Sequence, residues 1–395
     1  MEAKTVLIIG GGWGGLTAAH HLRNLLPDEH RVVVVERRDT FTLGVSHLWL
    51  MTGERRSVGE VSRQMHDLKR PGIEWVRAEA SRLEPNTLTV DTDATSLVGD
   101  YVVLAVGAEL APEAVPGFGE GAHNLYDPTG AAELGEVLQT FEGGRIVVLV
   151  AGAPFRCPAA PYEAAMLVDA LVRSRGKRDR SSVSLYTPEP RPMGVAGPEV
   201  GAALESMMRE RDINYHPEHS VTKVDARGHV AHFGTQSVPY DLLIGVPPHR
   251  APALVADAGL VDTTGYVPVH PQTFRILSDP DTLEIQYPNL YAIGDVTAVR
   301  LLNSMLLPKA GVFAEGAAQA VAGAIAADIM GEPAPAGFDG HGFCYVEVGG
   351  GLAAHGSGDF YAYPGPRVRL DAPSAEQRRA KLEYEQLLDT WFDSG

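Results

Sequence analysis

The chain has 395 residues, 45% of them hydrophobic, enough for two or three domains of ordinary size with substantial cores. Acidic residues outnumber basic ones by 50 to 33, a formal charge of −17, which argues against nucleic acid as a partner and against broad adhesion to anionic lipid. Two cysteines are too few for a secreted disulfide framework, so any importance they have is chemical.

The opening "KTVLIIGGGWGGLTAAHHLRNLL" reads as strand, tight turn and helix, and "HRVVVVERRD" as a second strand, a βαβ unit at the start of the chain. The first strand begins by Thr5, leaving no room for a signal peptide, and no run is expected to reach the length of a membrane span. A cytoplasmic location follows as the expectation. "SLVGDYVVLAVGAEL" is a buried strand ending at Gly107. "GRIVVLVAGAP" opens a second βαβ-like unit, with "SSVSLYTPEP" as its second strand. "VPYDLLIGVPPHRAP" and "YPNLYAIGDVTAV" are further strands. "PKAGVFAEGAAQAVAGAIAADIMG" is a long small-residue helix, and after a Pro/Gly linker "FCYVEVGGG" and "GDFYAYPGPRVRL" look antiparallel. Alternating strands and helices imply an α/β fold with parallel sheets covered by helices.

Gly10, Gly12 and Gly15 fit the pattern G-x-G-x-x-G. The first glycine allows the tight turn, the second lets backbone approach a pyrophosphate, and the third lets helix and strand pack closely. The helix N-terminus then offers free N–H groups to phosphate. Glu36 ends the next strand, where a carboxylate can accept from ribose hydroxyls. The strand ending in Gly294 and Asp295 can place a carboxylate beside the ribityl chain of an extended flavin, which favours FAD over NAD. The helix after Pro308 would point its N-terminus at the flavin carbonyl where negative charge gathers on reduction, and Lys309 would stand at that helix start.

"GGGWGGLTAAHHL", "YVVLAVGAEL" and "LYAIGDVTAV" together resemble the FAD flavoproteins with two dinucleotide-binding domains, the glutathione-reductase-like superfamily. "APFRCPAAPYEAAML", "VPPHRAP" and the C-terminal "FCYVEVGGG" narrow the resemblance to sulfide:quinone oxidoreductases and the flavoprotein subunit of flavocytochrome c sulfide dehydrogenase. The resemblance implies an FAD-binding domain split between residues 1–112 and 251–332, a second Rossmann-like domain over 113–250, and a C-terminal module over 333–395. It implies an oxidoreductase that takes electrons from sulfide, or another small sulfur substrate, and passes them to a quinone or another electron carrier.

The second βαβ unit offers only Gly152 before Ala153, Pro154, Phe155, Arg156 and Cys157. Pro154 has no N–H to give a phosphate, and Phe155 would crowd its approach, so the nicotinamide site is expected to be degenerate. The resemblance instead puts Cys157 and Cys344 beside the flavin as a redox pair, with Glu163 moving a proton between sulfide and the cysteine sulfur. The positive end of the helix starting near Pro161 would favour a Cys157 thiolate. Relatives often carry a third cysteine, absent here. Others attach FAD through a cysteine after the second strand, where "ERRDTFTLGVSHLWL" has none, so the FAD is expected to be non-covalent.

In the tail, Tyr384, Leu387, Leu388 and Trp391 fall at helical spacing as one apolar stripe, which either docks on the protein or lies peripherally on the inner face of a membrane. His216 reads as a surface loop histidine or a proton carrier. A homo-oligomer is left open. The competing readings are an NAD(P)H-dependent FAD oxidoreductase of the same fold and a degenerate flavoprotein acting as a binding scaffold.

Overall fold

A computed structural model describes residues 2–68 and 70–392. Strand β1 (Thr5–Ile9), helix α1 (Trp13–Leu25) and strand β2 (Arg31–Val35) form the first βαβ unit. Helix α2 (Ser46–Thr52) and strands β3 (Ile73–Val76) and β4 (Tyr101–Leu104) follow. All four strands run parallel, with registers Thr5↔Arg31, Val6↔Tyr101 and Val32↔Ile73. Residues 6–9 and 32–35 are buried on both faces, as a helix-covered parallel sheet requires.

The second unit comprises β5 (His123–Asn124), α3 (Pro128–Thr140), β6 (Gly144–Val150), α4 (Ala160–Ser174), β7 (Ser181–Tyr186), α5 (Pro198–Arg209), β8 (Ile213–His216) and β9 (Leu242–Val246). Its parallel sheet has the order β5-β9-β6-β7-β8. The chain then returns: β10 (Leu290–Ala292) pairs with β4 and completes the first sheet as β10-β4-β1-β2-β3. Two parallel five-stranded sheets, each with helices packed on it, give the expected α/β architecture.

Helix α6 (Gly311–Met330) is long and apolar enough to cross a membrane by length and composition, contrary to the sequence expectation that no run is. Half of it is buried in the protein: Phe313, Ala317, Val321, Ala322 and Ile325 enter the first core. Its small residues let α1 come close, so that a Cβ on Gly14 would lie 3.4 Å from Ala314. Gly331 closes the helix in the left-handed region, φ +70°.

The C-terminal module is an antiparallel sheet of β11 (His341–Gly349), β12 (Leu352–Asp359) and β13 (Arg367–Leu370), followed by α7 (Ala375–Gln386). Gly349, Gly350 and Gly351 all have positive φ, which the tight β11–β12 turn requires. A Cβ on Gly349 would strike Ala170, so this turn also sets how closely the module seats on α4.

The first glycine turn is equally constrained. A Cβ on Gly15 would collide with the Gly10 carbonyl oxygen, and Gly10 itself has φ +107° against the Ala105 carbonyl. Gly15→Val is therefore expected to push α1 off the sheet, lowering the thermal unfolding midpoint by several degrees and reducing retained cofactor, as read by a melt and by absorbance of the purified protein.

Candidate active site

The sequence-predicted residues fall into three groups that adjoin one another. In the first, Gly12 caps α1 with extended backbone and no side-chain cap, and a Cβ built there meets nothing within 4 Å. Gly107, with φ +68°, also faces open space. The cradle that a pyrophosphate needs is thus present at the helix N-terminus. Glu36 is 5% exposed; its carboxylate accepts the Gly11 N–H at 2.8 Å and the Arg38 N–H and Nε at 2.9 Å each. Burial pushes its carboxyl up, but the Arg38 guanidinium and these N–H groups hold it below the usual range. Arg38 was not anticipated from the sequence.

The second group surrounds a small cavity lined by Gly294, Asp295, Thr297, Pro308, Lys309 and Phe313. Lys309 directly precedes the N-cap, Ala310, and is not solvated. The helix begins at Gly311, and Lys309 is 5% exposed. Its Nζ donates to the carbonyls of Asp295 (2.6 Å) and Thr297 (3.2 Å) and sits 3.3 Å from the Tyr266 ring centroid. Burial lowers its pKa to about 8, with the Asp295 charge opposing. Burial likewise raises the Asp295 carboxyl.

The third group joins the second through the backbone: the Cys157 N–H donates to the Lys309 carbonyl at 2.7 Å. Cys157 occupies a turn with φ +50°, its carbonyl accepting from Ala160 N–H and the Tyr126 hydroxyl. α4 starts at Ala160, and Glu163 lies in its first turn. Cys344 lies on β11 with its thiol donating to the Tyr345 carbonyl at 3.4 Å. Both cysteines are free thiols packed against one hydrophobic core, and each thiol senses the Glu163 and Lys381 charges. The expected thiolate is not favoured. Burial pushes the Cys157 pKa up to about 11, with the Glu163 carboxylate adding to it; burial and the Cys157 sulfur push Cys344 well up. Burial outweighs the Lys381 charge and the Ala160 backbone N–H, which both favour the thiolate.

Glu163 is more than an acid at a helix start. It is 1% exposed, accepts the Glu347 N–H at 2.7 Å, and pairs with Lys381 Nζ. Lys381 also reaches Glu347 at 3.0 Å, and Glu347 accepts Arg378 Nε at 2.7 Å and Trp49 Nε1 at 2.8 Å. Burial, opposed by Lys381 and aided by Glu347, raises the Glu163 carboxyl; Lys381, between two carboxylates, is held cationic. Lys381, Arg378, Glu347 and Trp49 all escaped the sequence reading. In "SAEQRRAKLEYEQ" the cations look like a solvated helix face, and no local signal marks them as buried.

The tail docks on the protein, but not as one stripe. α7 ends at Gln386, and Leu387 and Leu388 lie in a 3-10 turn. Leu388 is fully buried, whereas Leu387 is 40% exposed. Trp391 packs on Trp13 at 4.5 Å, and Tyr384 and Trp13 both donate to Glu315. His216 ends β8 and stacks on Tyr186 at 4.2 Å.

In the turn after β6, Ala153 and Pro154 are exposed and Phe155 is turned into the protein. Phe155 is 3% exposed, Gly152 abuts Pro248, and Glu189 accepts from Tyr162 (2.7 Å) and Thr187 (3.2 Å).

The family described as pyridine nucleotide-disulphide oxidoreductase matches residues 4–323. A mitochondrial sulfide:quinone oxidoreductase of Mus musculus is 26% identical over 74% of this chain and 65% of its own length. A sulfide-quinone reductase of Aquifex aeolicus is 27% identical over 84% of this chain and 78% of its own. The structure of the sulfide:quinone oxidoreductase from Aquifex aeolicus superposes with a TM-score of 0.85 at 25% identity, covering 98% of this chain and 91% of the other.

With Cys157 held protonated, iodoacetamide should label the folded protein at pH 8 roughly a hundredfold more slowly than the urea-unfolded chain, because the thiolate is the nucleophile. A raised thiol pKa adds stability that is complete below the unfolded value, near 8.5, and is lost as pH climbs toward about 11. The labelling rate, followed by intact mass, should rise across that window.

Proposed function

The chain belongs to the pyridine nucleotide-disulphide oxidoreductase family, and from that premise we propose that it is an FAD enzyme that oxidises sulfide through Cys157 and Cys344 and delivers the electrons to a quinone. The observation that carries the reading is the placement of both cysteine thiols around one buried carboxylate, Glu163, on a core shared by α4 and β11. The likeness to sulfide:quinone oxidoreductases over most of the chain supports the same substrate and acceptor.

The glycine turn at Gly10–Gly15, with Glu36 and Gly107, would hold the adenosine and pyrophosphate of FAD; Gly294, Asp295 and Lys309 would hold its other half. When bound, the flavin supplies a two-electron sink and relay. The chain's own residues manage the sulfur and the proton. In the oxidised state Cys157 and Cys344 are bridged. Hydrosulfide adds to one sulfur, the cysteine–cysteine bond breaks, and one cysteine leaves as thiolate while the other carries the added sulfur as a persulfide. Bonding of the persulfide sulfur to that thiolate forms a three-sulfur bridge, releases two electrons and gives one proton, which Glu163 takes. Burial suits Glu163 to this, because a carboxyl raised above its ordinary value exchanges protons nearer to neutral pH. The Cys157–Lys309 backbone hydrogen bond ties the sulfur-bearing turn to the proposed flavin cavity.

No thiol lies in the segment after β2, so the flavin is non-covalent in this reading and leaves on acid treatment. Peripheral membrane contact would accompany a lipid-soluble acceptor, with the exposed Leu387 near the tail as one contact.

Anaerobic titration of the purified holoprotein tests the reading. Sulfide should bleach the flavin, whereas micromolar NADH should not, given the degenerate turn at Gly152–Phe155. Fast, saturable bleaching by NADH would instead promote an NAD(P)H-dependent oxidoreductase. Cys157→Ser and Cys344→Ser should each cut sulfide-driven reduction by at least about a hundredfold while retaining flavin. Full activity in Cys344→Ser would end the paired-cysteine mechanism.

A further inference from the structure

We infer that Glu347 is a positioning residue of this reaction: by sharing Lys381 with Glu163, it makes both the protonated and the ionised forms of Glu163 tolerable in the interior. The inference rests on the reading above, that Glu163 handles the proton.

The argument is one of charge balance in a closed space. A lone buried Glu–Lys pair is poor at exchanging protons. Protonating the acid strands a buried cation, which costs several kcal/mol. Here the cation is never stranded. Lys381, 3% exposed, lies against Glu163 and also 3.0 Å from Glu347. When Glu163 takes a proton, Lys381 keeps Glu347. Arg378 does not take Glu347 away from it, since Arg378 pairs with Glu54 as well as with Glu347. The Glu347 carboxylate is engaged by Arg378, Lys381 and the Trp49 N–H. Its backbone N–H meanwhile donates to the same oxygen of Glu163 that Lys381 engages, fixing the carboxylate in place.

The charged and titratable groups facing this cluster come from every element around it. Lys381 and Arg378 project from α7, with Glu54 behind Arg378 at 2.5 Å. Glu163 comes from α4, Cys344 from β11 and Cys157 from the turn before α4, and the Tyr126 hydroxyl senses both Cys157 and Glu163. Among the described residues, Lys381 is the cation that contacts both carboxylates directly.

The prediction concerns the pH dependence of sulfide-driven flavin reduction in the holoenzyme. The wild-type acid limb is assigned to Glu163 and should vanish in Glu163→Gln. In Glu347→Gln, Lys381 has Glu163 as its sole carboxylate, so Glu163 is held ionised and the limb should move down by about one pH unit or more. In Lys381→Met, Glu163 loses its cation while keeping Glu347 as a neighbour, so the limb should move up by a similar amount. The charge-preserving Glu347→Asp and Lys381→Arg should stay near the wild-type midpoint, and they remain informative if either neutral variant fails to hold flavin. A merely structural role would lower rates or flavin content without moving the limb in opposite directions. Shifts of one sign in both neutral variants, no shift in either, or displaced midpoints in the charge-preserving pair would overturn the inference. If Glu163→Gln itself leaves the limb in place, the role of Glu163 fails, and this inference falls with it for that separate reason.

Discussion

Two carboxylates and two cations meet in the interior, contributed by a helix of the second Rossmann-like unit, a strand of the C-terminal sheet and the tail helix. Glu163, Glu347, Lys381 and Arg378 are each between 1% and 7% exposed. Removing Lys381 would leave the buried Glu163 carboxylate without a cation, a penalty of about 3–5 kcal/mol. The three elements are therefore bound to one another more strictly than apolar packing alone would demand. The geometry of both cysteines depends on the same constraint: Cys157 precedes the helix that carries Glu163, and Cys344 is three residues before Glu347 on one strand. The tail helix is best regarded as part of the site, with further anchors at Arg55–Glu385, Ser46–Glu385 and Arg63–Asp389.

The second Rossmann-like unit keeps its sheet and has changed what stands at the sheet's C-terminal edge. Loops there are where this architecture places ligands. In this chain that edge lacks the glycine-rich pattern: Phe155 is turned into the protein, Tyr126 packs edge-on against His249, and the Arg156 guanidinium lies over Tyr126. The His249 ring is held neutral there by burial, its pKa lowered to about 3.

Local features were legible in the sequence and distant ones were not. The glycine turn, the parallel strands, the small-residue helix and the degenerate second turn each announce themselves within a dozen residues, because backbone sterics and periodicity act at that range. Glu163 was visible as a candidate acid, yet its partner was not, since Lys381 lies 218 positions away and sits in a helix whose composition reads as solvent-facing. The expected Cys157 thiolate went wrong for a related reason. A helix end can be read from neighbouring residues, but enclosure by the C-terminal module cannot, and burial has the largest effect on the thiol. The burial of Lys309 was equally out of reach, since it depends on Tyr266 and the Asp295 turn. The tail stripe was half right, because a 3-10 turn at Leu387–Thr390 changes the angular spacing midway.

The sequence separation between Glu163 and Lys381 also has a bearing on how the protein is made. A ribosome adds about 5–20 residues per second, so Glu163 waits on the order of tens of seconds for its cation to be synthesised. During that interval the nascent chain has the first glycine turn, the strands of both Rossmann-like sheets and, late on, both thiols, but not the Glu163–Lys381 pair. The junction of α4, β11 and α7 at these charges can therefore close only after α7 has been made.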